Sequence, residues 1–258
     1  MSATVLAAPL SRAGAADRPG LGRLTLVELR KMTDTRAGFW LLLTTAGLTV
    51  LVAAVACLVF HDDESNLLNF LSVTVQPASI LMPIVGILLV TSEWSQRTAM
   101  VSFALVPQRS RVLVAKLLAG VTLSAIAFVL GAVVALIATA VAGADGDQTW
   151  ALSSALLGQI AFSVVVSMLG GIAFGALLLA SAPAIVLYFV LPTVWAALGS
   201  IAALEGAARW LDQSRTMSPL FEESLSSMQW ARVGTSLALW LVLPLVLGFW
   251  RVTRGDVR

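Results

Sequence analysis

QTWALSSALLGQIAFSVVVSMLGGIAFGALLLASAPAIVLYFVLPTVWAALGSIAAL, Gln148 to Leu204, contains no Asp, Glu, Lys or Arg. About 20 apolar residues carry a helix across a hydrocarbon core, so this run is too long for one crossing. It contains SAPA, Ser181 to Ala184. The residues are small, and Pro183 disfavours helical backbone at Ala182, so the tetrapeptide predicts a tight hairpin. The run then divides into two spans, and that division decides the fold.

Working outward, four further stretches lack charge: 37–61, 65–92, 117–144 and 233–250. The whole chain is 59% apolar and 12% charged, against about 25% charged in a soluble domain. The pattern predicts an all-α integral membrane protein with six spans, near 37–60, 73–92, 117–143, 156–180, 184–203 and 233–250. They form one transmembrane domain over 21–258. Residues 1–20 are rich in Ala, Gly and Pro and read as a disordered tail. They lack the sustained apolar core of a cleavable signal peptide. Cys57 is the single cysteine and His61 the single histidine. One thiol makes no intrachain disulfide, and one imidazole makes neither a dyad nor a metal site. No catalytic residue and no metal site are expected.

With the amino terminus cytoplasmic, 13 of the 16 Lys and Arg fall inside, in 1–36, 91–116 and 251–258, and the other three lie in 204–232 outside. The positive-inside rule then places both termini in the cytoplasm. Trp40, Trp94 and Trp250 mark the inner interface, and Trp150, Trp210 and Trp230 the outer one. The net charge of +2 does not indicate nucleic-acid binding, since anionic lipid explains basic residues on the inner face.

Three pieces are not spans. Leu21, Leu24, Val27 and Met32 share a helical sector, while Arg23, Arg30 and Lys31 lie mostly elsewhere. This predicts an amphipathic helix in the inner interface. Before span 6, Ser218 is the expected N-cap of a helix with Pro219 first, Glu222 and Glu223 in its first turn, and Leu220, Phe221, Leu225 and Met228 on one face. The third piece is TSEWSQRTAMVSFALVPQRSRVLVAK, Thr91 to Lys116. Glu93 and Arg97 are four apart and suited to pair. Thr98 suits the cap of a short helix that Pro107 stops, and Ser110 the cap of span 3, with Arg111 and Lys116 at headgroup level. Met100, Val101, Phe103, Leu105 and Val106 are more apolar than a plain connection needs. They suit a knob that enters a groove on another protein.

The chain resembles a type-2 permease of the ATP-binding-cassette (ABC) transporters, the exporter class. The likeness covers nearly the whole chain. It rests on VELRKMTDTRAGFW (Val27–Trp40), the six spans, the helical stretch before span 6, and E-x-x-x-x-T…P-x-x-S-R, here Glu93, Thr98, Pro107 and Ser110–Arg111. Arg97 stands where the family often has Gly. The resemblance implies that Glu93, Arg97, Thr98, Phe103, Pro107, Arg109 and Arg111 dock a separate ATPase. It places the flat helix, with Glu28, Arg30 and Lys31, beside that contact. It implies a second permease copy, ATP and Mg bound only by the partner subunit, and a bacterial plasma membrane. Independently, the chain has no G-x-x-x-x-G-K-[ST] loop, so it does not cradle ATP phosphates in that way.

The rival classes fare worse on the same residues. An intramembrane enzyme needs paired acids or a Ser–His pair. An ion-coupled carrier needs ionisable groups inside spans, and the expected spans hold none. A non-transporting anchor or signalling partner of an ATPase remains the alternative. The uncharged spans suit a hydrophobic or amphipathic solute. Gln76, Gln159, Ser163, Ser167, Thr193 and Ser200 are candidates to line a path. Gln76 and Gln159 are the best candidates for a cavity or dimer seam. Gly171 and Gly175 have the spacing of a close helix–helix contact. Pro77, Pro83 and Pro192 are expected to kink spans 2 and 5.

Overall fold

A computed structural model describes residues 20–61, 65–95, 109–143 and 149–254. Almost all of the expected tail and the 96–108 segment lie outside them. Among the described residues six helices are long and apolar enough to cross a membrane, and none of these residues forms a strand. The protein is an all-α, multi-pass membrane protein.

Helix α1, Leu21–Asp34, is separated from α2, Arg36–Val59, by Thr35 alone. Thr35 takes extended backbone, and its side chain accepts from the Gly38 N–H at 3.2 Å. A side chain at position 38 would collide with the Met32 carbonyl, so glycine permits this sharp return. Glu28 and Met32, one turn apart, are the buried residues of α1. Leu21, Leu26 and Val27 are exposed. The apolar sector expected from Leu21, Leu24, Val27 and Met32 is therefore divided between bundle and surroundings.

Helices α3 (Leu67–Ser95), α4 (Arg109–Ala142), α5 (Ser154–Leu178) and α6 (Ser181–Leu198) supply spans 2 to 5. The break between α5 and α6 lies at Leu179–Ala180, not at the expected 181–184. Leu179 takes the left-handed conformation, with φ 56°. Pro183 then falls in the first turn of α6, where its missing N–H interrupts no helical bond. Thr91 and Ser181 share a hydrogen bond of 2.7 Å that fastens this turn to α3. Helices α3 and α6 run on through Pro77, Pro83 and Pro192.

Short helices α7 (Glu205–Leu211) and α8 (Gln213–Met217) and a 3₁₀ turn (Ser218–Phe221) precede the last span. The helix expected from Ser218 does not form. Asp212 is the cap that operates, accepting from Ser214 and Arg215 N–H. Pro219 sits in the 3₁₀ turn, which Glu222 ends. Leu220 is fully buried and Met228 exposed, so the expected apolar face is divided too. Ser226 and Gln229 make a reciprocal capping box that starts the last span at Ser227. That span comprises α9 (Ser227–Leu237), a π turn (Ala238–Val242) and α10 (Leu243–Arg254). Pro244 cannot donate to a carbonyl one turn back, which accounts for wider winding before it.

Helices α3 and α5 form the centre. Their most apolar stretches are 61% and 67% buried, against 6% for α6. A methyl group at Gly171 would strike the Pro83 backbone, and one at Gly175 would press on Ile87. The two glycines thus set the approach of α5 to α3.

The helices also overrun the uncharged segments. Glu93 lies in α3, and Arg111 and Lys116 lie in α4. These ionisable groups lie on the helix ends, outside the uncharged stretches 65–92 and 117–144. Ser110 is inside α4, which already includes Arg109.

Candidate functional site

Two places where the long helices meet gather polar side chains. The first joins α1, α3 and α4. Helix α1 brings Glu28 and Lys31, α3 brings Glu93, and α4 brings Lys116. Lys116 Nζ donates to Glu28 Oε2 at 2.7 Å, to Glu93 Oε1 at 2.9 Å and to the Leu89 carbonyl at 3.0 Å. An ammonium has three donors, and all three are used. Lys31 Nζ donates to Glu28 Oε1 and Glu93 Oε1, each at 2.7 Å. Lys116, Glu28 and Glu93 are 3%, 4% and 7% exposed, whereas the Lys31 side chain is 39% exposed. Two acids and two bases make the group neutral, which is what allows burial.

Burial alone would lower the Lys31 pKa. Its hydrogen bonds to Glu28 and Glu93, and the charges of these carboxylates, outweigh it and hold the ammonium above its ordinary value. Lys31 and Lys116 are the only lysines in the chain. Both meet the same two glutamates.

This ionic clasp changes several expectations. Lys116 is buried inside the protein, between Glu28 and Glu93. The Glu93 carboxylate holds Lys31 and Lys116. Arg97, Thr98, Phe103 and Pro107 lie outside the described residues. Arg109 opens the described part of α4, and Arg111 is half-buried in its first turn. Arg30 is exposed on α1.

The second place is a cleft of about 300 Å³ between α3, α5, α6 and the α8 segment. Gln76, Ser163, Ser167 and Thr193 meet there, with Tyr188, Gln213 and Phe221. Ser163, Ser167 and Thr193 donate to carbonyls of their own helices. Tyr188 Oη donates to the Ser167 carbonyl at 3.2 Å. The Gln76 amide has no hydrogen-bond partner among the described residues. The cleft thus offers hydroxyl lone pairs and one free amide beside aromatic surface. It suits a solute that is partly polar and partly apolar.

Gln159 does not join this cleft. Its amide donates to the Glu223 carbonyl at 2.8 Å and accepts from Leu225 N–H at 3.0 Å. It holds the loop before the last span. Ser200 bonds Ala197 and is exposed at the end of α6. Gly171 and Gly175 are buried against α3, so neither lies on an exposed seam.

The chain matches no known family model, and no curated protein shows significant similarity to it.

Some positioning residues were missed in the sequence. Asp212 is 1% exposed and caps α8. Its signal was an acid just before Gln213-Ser214-Arg215. Ser226-x-x-Gln229 was a legible capping box. Trp240 Nε1 donates to the Leu211 carbonyl at 2.7 Å and ties α7 to the last span; only the fold brings these two together.

Proposed function

We propose that this chain is the membrane-spanning permease subunit of an ATP-driven exporter of the type-2 ABC class. Two copies form the path, and a separate ATPase supplies the energy. The solute is hydrophobic or amphipathic, of drug, lipid or peptide type. The protein sits in a bacterial plasma membrane with both termini cytoplasmic.

The observation that carries this reading is the ionic clasp. It pins α1 to the end of α3 and the beginning of α4. Those are the two helices that lead into and out of 96–108, the segment with the character of a docking knob. A push on that segment would move three elements as one body, since a saturated buried ion cluster breaks only at high cost. The cleft beside Gln76 gives such a movement something to act on. Six crossings return the chain to its starting side, and the excess of Lys and Arg there supports a cytoplasmic assignment.

Co-purification tests this directly. The tagged chain, extracted gently from its host, is expected to bring down a stoichiometric subunit with a Walker loop. The ATPase activity of that complex should fall when Arg97 and Phe103 are replaced together. Several mild detergents yielding no such subunit would overturn the reading and leave a membrane anchor or signalling protein.

A further inference from the structure

Between Lys116 and Arg251 the sequence holds three basic residues, Arg209, Arg215 and Arg232. They come from three helices, α7, α8 and α9. All three line a single cleft of about 370 Å³, with Thr216, Pro219 and Gln229. Such convergence does not follow from the need to keep charge in water. Three arginines with no ligand between them would be better separated, because like charges repel.

Their partners are unequal. Arg209 pairs with Glu205 at 2.7 Å, both more than half exposed. Arg215 reaches Asp212 at 3.4 Å and the Gly199 carbonyl at 3.3 Å. Arg232 has no carboxylate partner among the described residues. Its guanidinium carbon lies 5.9 Å over the Trp210 ring, and its Nε is buried without a hydrogen bond. A charged donor withdrawn from water and left unmet is costly. Gln229 is already engaged by Ser226 and Glu223, and the Thr216 hydroxyl by the Asp212 carbonyl. No acceptor for this donor stands among the described residues.

We propose that this cleft binds a phosphate-type oxyanion at the membrane boundary. The guanidinium fork matches two oxygens of a phosphate group. Trp150, Trp210 and Trp230 are exposed at this end, where tryptophans mark the headgroup level. The group that enters is therefore a phosphodiester of an anionic lipid or a free phosphate ester. The site is separate from the Gln76 cleft. Gln213 and Ser214 face that cleft, whereas Arg215 and Thr216 face this one. The proposal does not depend on transport.

The purified full chain is reconstituted in nanodiscs of phosphatidylcholine with a fixed share of phosphatidylglycerol. After exchange into neutral detergent, native mass spectrometry counts the phosphatidylglycerol retained. A second arm measures binding of radiolabelled inorganic phosphate in phosphatidylcholine alone. Retention of phosphatidylglycerol assigns the lipid source; phosphate binding without it assigns the free ester. In either case Arg232→Gln should weaken binding about tenfold or more, as loss of a charge-assisted hydrogen bond does. Arg232→Lys should recover part of it. If Arg232→Gln does not accumulate, Arg209→Gln at the exposed rim gives the same readout with a smaller loss. Neither anion binding the wild type, or both binding the variants equally well, would overturn the proposal.

Discussion

Charge is handled in opposite ways at the two ends of the molecule. At the end bearing α1, Lys116 and two glutamates are buried with the half-exposed Lys31 at their edge, and each ammonium proton of Lys116 has an acceptor. At the other end three arginines surround an open cleft, and Arg232 keeps a buried donor without an acceptor among the described residues. A closed cluster resists rearrangement because every change of partner exposes an uncompensated charge. An open one invites a ligand. The first end is built to keep three helices together and the second to receive something.

The sharpest way to break this contrast is Lys116→Met. It removes one ammonium from between two buried carboxylates. We expect a loss of about 3–5 kcal/mol, the usual consequence of orphaning a buried charge. Heat unfolding in detergent should show it, together with faster amide exchange in α1. Adding Glu28→Gln should restore part of the loss, since the residual group is then one acid and one base. An unchanged melting temperature and unchanged α1 protection would remove the clasp from the account.

A smaller effect tests whether the middle is as tightly set as the clasp. Gly171→Ala forces a methyl group against the Pro83 backbone. Overpacking of this kind should destabilise by about 2–3 kcal/mol. Gly158→Ala, where a methyl group meets open space, should be neutral or slightly stabilising in the same assay. Smaller again is Gln159→Leu, which frees the Glu223 carbonyl and the Leu225 N–H. About 1–2 kcal/mol should be lost, with increased proteolysis confined to the loop before Ser227. Equal sensitivity of α1 would deny that this loop and the clasp are independent.

The six spans were legible because absence of charge over about 20 residues is a local signal. Their ends were not. Glu93 and Lys116 look like span boundaries when charge is taken to mean water, yet each is buried because the other, and α1, are there. That pairing joins positions 28, 31, 93 and 116, and no local pattern contains it. The hint was compositional: only two lysines exist, each flanking a span. Ser163, Ser167 and Thr193 were legible as polar residues on apolar helices. Their meeting with Gln76 needed the packing of α3, α5 and α6. Gln159 looked equivalent to Gln76 in sequence and took a different role, because a loop carbonyl and a loop N–H lay within its reach.

The least change is expected from pH, and its sign separates the two ends. Lys31 is held above its ordinary pKa of 10.5 by Glu28 and Glu93, against the opposing effect of burial. A base whose folded pKa is raised contributes fully below its unfolded pKa and loses that contribution as pH rises through the folded value. Protection of α1 should therefore stay constant from neutral pH to about 10 and decline only above it. Glu205, at the other end, is held below its ordinary value by the hydrogen bond and charge of Arg209. A carboxylate of lowered pKa contributes above its unfolded value and loses that as pH falls through the folded one. Both partners are exposed to water, so the pair is weak. Glu205→Gln should leave the melting temperature unmoved while increasing oxyanion retention at the arginine cleft, because it releases Arg209. A melting temperature that fell with Glu205→Gln would place this end, like the clasp, among the structural ion pairs.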